Sequence, residues 1–203
     1  MSAGVKAGYS DYTLFGDEVR LRKKRGAELI NRQALELGFV LKADIHKYLY
    51  AKAELGYLQK GGHLKGGGWT YQTPVQVNYL SIPLLVGLSP IKTEPVTLSF
   101  EAGFAYNLLM SSDIGYSKDI IAGYRAEETT DIVSQLVGIE LATDVLDNLT
   151  LFANYRYSQD RDFFHARVNS TTGENYDLWN KGNSICFGVR FKGKNRVKTG
   201  LAI

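Results

Sequence analysis

The sequence predicts an all-β fold, an eight-stranded, antiparallel, up-and-down transmembrane β-barrel, from three observations. Apolar residues alternate with polar or small ones over long, regular stretches, the period of strand and not of helix. Short connections alternate along the chain with long ones, as where tight turns lie on one side of a membrane and loops on the other. Tyr9, Tyr57, Tyr106 and Tyr157 all fall on the apolar face. Each stands near the strand end that meets a long connection, the arrangement of an interfacial aromatic girdle.

Composition is consistent with this and excludes other classes. At 203 residues the chain is expected to be one barrel. Its hydrophobic fraction of 44% is near the soluble average, so a helical membrane protein is not expected. No apolar run reaches the ~18 residues of a spanning helix, whereas a barrel needs only alternate residues to meet lipid. The net charge of +3 is too small to argue for a nucleic-acid partner. Cys186 is the single cysteine, which excludes an internal disulfide and a cysteine zinc cluster; an inert small residue in a strand is expected there. The opening MSAGVKAGYS enters strand pattern without a charged n-region or apolar h-region. Since a secreted barrel needs a leader, either the sequence is of mature length with an added Met or the membrane reading fails.

The first strand runs Gly4–Tyr12, with Val5, Ala7 and Tyr9 outward and Lys6, Gly8 and Ser10 inward. A charged connection, 13–33, carries the basic run Arg20–Arg25; a solvated face outweighs a polyanion site there. The central hairpin, Ala34–Gly61, is the clearest pair. Leu35, Leu37, Phe39 and Leu41 share one face of its first arm, and Leu49, Ala51, Ala53, Leu55 and Tyr57 that of its second. Its arms are as long as the ~9–11 residues of a membrane strand. The glycine-rich second connection lacks the pattern of a phosphate loop. Val77–Leu88 is the fourth strand, with Leu80, Ile82, Leu84 and Val86 on one face; Pro83, which has no N–H for the ladder, predicts a bulge or local break. After the turn Ser89–Pro95 comes Val96–Leu108, the most regular alternation in the chain. A long connection, 109–130, leads to Asp131–Ala142, whose apolar face is interrupted by Gln135. Leu149–Ser158 places Phe152, Asn154 and Arg156 inward; a long connection, 159–182, precedes the last strand, Asn183–Phe191.

Several segments then carry a family resemblance: GVKAGYS at Gly4–Ser10, AELGYLQKGG at Ala53–Gly62, NYLSIPLLVG at Asn78–Gly87, FEAGFAYNLL at Phe100–Leu109, ANYRYS at Ala153–Ser158 and FGVRF at Phe187–Phe191. They resemble the OmpX/PorT-like small outer-membrane barrels of Bacteroidetes type, over nearly the whole chain. The resemblance implies insertion in the bacterial outer membrane with both termini in the periplasm, and its motifs are architectural. The family often ends at the aromatic residue of the last strand, here Phe191, whereas KGKNRVKTGLAI follows. Residues 1–191 are therefore expected to form the barrel and 192–203 a flexible basic tail.

Chemistry-bearing residues divide between the lumen and one loop. The inward faces gather Lys6, Glu36, Lys42, Lys52, Glu54, Glu101, Glu140, Arg156 and Arg190. Paired carboxylates would suit acid–base catalysis, but charges confined in a narrow barrel must pair, and a structural network is expected. Arg156 is expected to find its counter-charge in Glu101 or Glu140. His46, His63 and His165 are scattered, so neither a metal site nor a Ser–His–acid constellation is expected. In the last long connection Phe163, Phe164, His165, Tyr176 and Trp179 form a possible contact surface or a self-packed loop. The sequence thus predicts a non-enzymatic, monomeric barrel in outer-membrane lipid, without cofactor, with a structural or adhesive role through its long loops. A soluble lipocalin-like carrier and, behind it, a lipid-modifying enzyme are the alternatives.

Overall fold

The computed structural model describes residues 1–66, 73–114, 124–128, 131–161, 165–169 and 175–193. Its elements are β1 (Ser2–Phe15), α1 (Asp17–Lys24), β2 (Ala27–Asp44), β3 (Leu49–Gly66), β4 (Thr73–Lys92), β5 (Val96–Ile114), β6 (Tyr124–Glu128), β7 (Ile132–Leu146), β8 (Leu149–Asp160), β9 (His165–Asn169) and β10 (Asn175–Lys192). Antiparallel neighbours in the order β1-β2-β3-β4-β5-β7-β8-β10 make the wall. It closes where β1 pairs β10 from Ser2↔Lys192 to Phe15↔Trp179. β9 pairs with the first residues of β10, and β6 with β9, as a ribbon outside the closed wall.

The wall is apolar outside and polar inside. Leu35, Phe39, Leu84 and Phe187 are 61–69% exposed, while Lys52, Glu101 and Glu140 are at most 4% exposed. A water-soluble carrier buries its apolar face inside; this chain presents that face outward, which disposes of the lipocalin-like alternative. The tyrosine hydroxyls mark the upper edge of the belt. Tyr57 donates to Asn78 Oδ1 at 3.1 Å, Tyr106 to Asp131 Oδ2 at 3.0 Å, Tyr155 to Asn183 Oδ1 at 2.8 Å and Tyr157 to Gln159 Oε1 at 3.1 Å. Each ring keeps its apolar body against the belt and its hydroxyl on the polar side. Gln135 belongs to this level: it stands opposite Gln159, next to Val133↔Tyr106 and Val137↔Tyr157. Its polarity is interfacial.

The strands are taller than the sequence pattern predicts. The segment 13–33 is not one connection: β1 continues to Phe15, α1 follows, and β2 begins at Ala27. Likewise β3 runs to Gly66, β4 from Thr73 to Lys92, β5 to Ile114, β7 to Leu146, β8 to Asp160, and β10 starts at Asn175. β6 and β9 lie within the third and fourth long connections. The cause on the loop side is a change of solvent. Beyond the girdle the outer face meets water, so the alternation inverts: Asp11, Gln76 and Asn78 take the outer face while Leu14, Leu64, Val75, Val77, Ile132 and Leu178 are buried inward. With Tyr79 and Val19 of α1 they form an apolar plug across the loop-side end of the lumen. α1 is otherwise strongly polar and is anchored by Val19, 5% exposed.

Pro83 produces a break without a bulge. The β3–β4 ladder skips from Ala53↔Leu84 to Gly56↔Ser81 in unchanged register, while Pro83 still faces Ala105 on the β5 side. The register shifts in β4 lie elsewhere, between Asn78 and Tyr79 and between Leu88 and Ile91.

Candidate functional site: a charge-filled lumen

Strand parity brings the inward charges together in two tiers. In the tier nearer the short turns Glu140 of β7 is the hub. It accepts Lys42 Nζ at 3.2 Å, Lys52 Nζ at 2.9 Å, and both terminal nitrogens of Arg190 at 2.9 and 2.7 Å. These donors come from β2, β3 and β10, so one carboxylate ties four strands together. Lys52 also pairs with Glu101, which accepts the Tyr50 hydroxyl at 2.8 Å. Rings fill the remaining space: Lys42 Nζ lies 3.6 Å from the Tyr50 ring centre, and the Arg190 guanidinium lies 4.3 Å from that of Phe152.

In the middle tier Arg156 of β8 reaches across the bore to Glu54 of β3 with two parallel bonds, Nη1–Oε2 at 2.9 Å and Nη2–Oε1 at 2.8 Å. Glu101 is a weaker second partner at 3.4 Å. This corrects the sequence expectation: Glu101 takes part, but Glu140 is occupied by Lys42, Lys52 and Arg190, and the principal partner is Glu54. Lys6 closes the tier, 2.5 Å from Glu36 and 2.9 Å from Glu54. Every one of the nine interior residues named from the sequence lies in this network and is at most 9% exposed.

A third layer, not among the residues named from the sequence, mixes one ion pair with neutral polar groups. Lys60 donates to Asp160 Oδ1 at 2.6 Å and to Ser134 at 2.8 Å, and Ser134 donates onward to Asp160 at 2.8 Å. The second oxygen of Asp160 accepts the backbone N–H and side-chain amide of Asn180 at 3.1 and 2.9 Å. Asn107 donates to Ser134 at 2.8 Å and accepts from Ser81 at 2.7 Å. A serine beside a lysine invites the thought of a nucleophile and its base. Here the amine acts as donor to both neighbours, and the group sits beneath the apolar plug. The signal for Lys60 and Asp160 was parity: Lys60 shares the face of Lys52 and Glu54, and Asp160 that of Arg156.

Glycine makes room for the rings. A Cβ on Gly87 would run into the Tyr50 ring, and one on Gly188 into the ring of Phe152. Gly87→Val is expected to expel Tyr50 and take the hydroxyl from Glu101, costing about 1–3 kcal/mol by overpacking. A urea unfolding midpoint in detergent checks this; an unchanged midpoint would contradict the packing.

Phe163 and Phe164 lie outside the described residues. His165 opens β9 and Tyr176 lies in β10, paired in register with Arg167. Trp179 is half-buried on the outer face of β10 and stacks on Phe15, ring centres 5.4 Å apart. His46 lies in the β2–β3 turn and His63 on β3. Among the described residues no group of His, Cys, Asp and Glu is placed to hold a metal ion. Lys192 ends β10 and pairs with Asp144 at 2.6 Å; residues 194–203 of the basic tail lie outside the described residues.

Known proteins share this architecture. OprG from Pseudomonas aeruginosa superposes with a TM-score of 0.62 at 10% identity, covering 94% of each chain. Neisserial surface protein A gives 0.53 at 14% identity, over 95% of this chain and 99% of that one. A major outer membrane protein from Thermus thermophilus gives 0.51 at 11% identity, over 93% and 98%. Identities this low carry the fold alone. Comparison with curated protein sequences returned no match. The family described as outer membrane protein beta-barrel domain matches residues 31–159, more than half of the chain. With its lipid-facing belt, tyrosine girdle and closed eight-strand wall, the chain belongs to this outer membrane protein beta-barrel domain family and resides in the bacterial outer membrane.

Proposed function

We propose that this protein is a non-enzymatic barrel of the small OmpX/PorT-like kind, with a structural, adhesive or surface-interaction role exercised from its extracellular side. The observation that carries this reading is the filled lumen. Ion pairs cross the bore in successive tiers and an apolar plug covers them at the loop side, so the described interior is occupied by side chains paired with one another. The surfaces that remain for interaction are the extracellular extensions of the strands, α1 and the long connections. Displayed on bacteria that otherwise lack it, the wild-type chain is expected to increase adherence to protein- or glycan-coated surfaces. A chain with the β5–β7 and β8–β10 connections cut to tight turns is expected to lose that gain while keeping the faster unboiled gel mobility of a folded barrel. Equal adherence with and without the wild-type barrel would contradict the reading.

A further inference from the structure

We propose that α1, with the Phe15–Trp179 pair beside its start, is a docking surface for a polyanionic polysaccharide arriving from outside the cell. The proposal rests on the surface-interaction reading above and names its partner class.

The basic run lies on a fixed element. Val19 holds α1 to the apolar plug, so the cations are carried on a helix seated on the barrel mouth. Arg20, Lys23 and Lys24 share one face by their three- and four-residue spacing, and Arg25 follows at the C-cap. All four are exposed. Arg20 has a 3.3 Å contact with Asp17, itself exposed; Lys23, Lys24 and Arg25 have no acidic partner among the described residues. Cations in the last turn suit the helix dipole. Crowding like charges on one face is nonetheless unfavourable, and a bound polyanion would relieve it.

The second observation is aromatic. Gly16, at φ 124°, starts α1 directly against the indole: a Cβ there would lie 2.9 Å from Trp179 Cε3. Trp179 stacks on Phe15, and Lys181 Nζ lies 5.4 Å from the Phe15 ring centre. Half-exposed rings flanked by cations offer apolar contact to sugar rings and charge to their sulfate or phosphate groups. Height selects the source. With a ~3.3 Å rise and ~40° tilt, Phe15 stands about 15 Å beyond the girdle residue Tyr9. Lipid phosphates at the girdle lie below that level, whereas a soluble chain reaches it.

The test is calorimetric titration of the full barrel in nanodiscs with heparin, a sulfated polysaccharide. Binding is expected at low salt and weakens as salt is added. Lys23→Gln/Lys24→Gln/Arg25→Gln is expected to weaken it about tenfold or more by loss of counterion release, and Trp179→Ala to weaken it further. Lys47→Gln/Lys92→Gln, at the short-turn end, is expected to bind as wild type. Unboiled gel mobility confirms that each variant is folded. Absence of heparin binding by the wild type, or unchanged affinity in the triple variant, would overturn the proposal. Equal affinity for duplex DNA would overturn the choice of polysaccharide. If the triple variant loses no cell adherence while the loop-shortened chain does, this site falls and the wider surface role stands.

Discussion

Glu140→Leu is expected to lower the folding stability of the barrel by about 3–5 kcal/mol, the cost of stranding buried charge. Glu140 is 0% exposed and its two oxygens take four donor nitrogens from Lys42, Lys52 and Arg190. Leucine leaves three cations facing one another in a narrow bore. Lys52 retains Glu101 and a 3.5 Å contact to Glu54, but Arg190 loses its bidentate partner. Arg156→Leu should cost less, about 3 kcal/mol at the low end of the same range. Its partner Glu54 keeps Lys6 at 2.9 Å. Refolding titrations in detergent give both values. A Glu140→Leu barrel as stable as wild type would mean that water or alternative pairing already carries these charges.

The second large effect lies on the other side of the same wall. Phe100→Arg or Leu84→Arg is expected to cost about 2–4 kcal/mol when the barrel folds into lipid, because arginine at the bilayer midplane has no partner there. Phe100 is 49% and Leu84 61% exposed, both on the belt. Lys65→Glu, beyond the girdle opposite Glu28, is expected to stay within about 0.5 kcal/mol as an exposed change. Urea titrations in the presence of lipid vesicles distinguish them. Equal cost for the belt and loop substitutions would mean that the apolar face does not meet lipid.

Within the membrane, period-two alternation carried nearly all the information. Lys6, Glu36, Glu54, Glu101 and Arg156 could be assigned to the lumen because lipid tolerates only the other parity, and a one-residue slip would have exchanged the faces. The particular pairings were not legible, because strands distant in sequence meet across the bore: Arg156 reaches Glu54, 102 residues away. Above the girdle the solvent on the outer face changes from lipid to water. There the same alternation is inverted, and Leu14, Leu64 and Val75 read as loop residues. Tyr50, Lys60 and Asp160 were missed for a simpler reason. Parity placed them inward, but Asp160 had been assigned to the connection 159–182, which left Lys60, at the end of the central hairpin, without its partner, and Tyr50 in the same hairpin carries no charge to mark it. α1 has one buried anchor, Val19, in a run of charges, and nothing in that run signals a helix that caps a barrel. Among the described residues β6 pairs with β9 and β9 with the start of β10, and the β6–β9 pairing joins segments distant in sequence that a local pattern does not connect.

Single-channel recording in planar bilayers tests the central claim, that the lumen is closed. Eight strands enclose a bore only about wide enough for side chains to fill. Here the tiers of Glu140, Arg156 and Lys60 fill it, and the plug around Leu14, Tyr79 and Leu178 covers it. The wild-type barrel is expected to insert and give no steady current. Large, stable single-channel currents from the wild type would contradict the closed lumen.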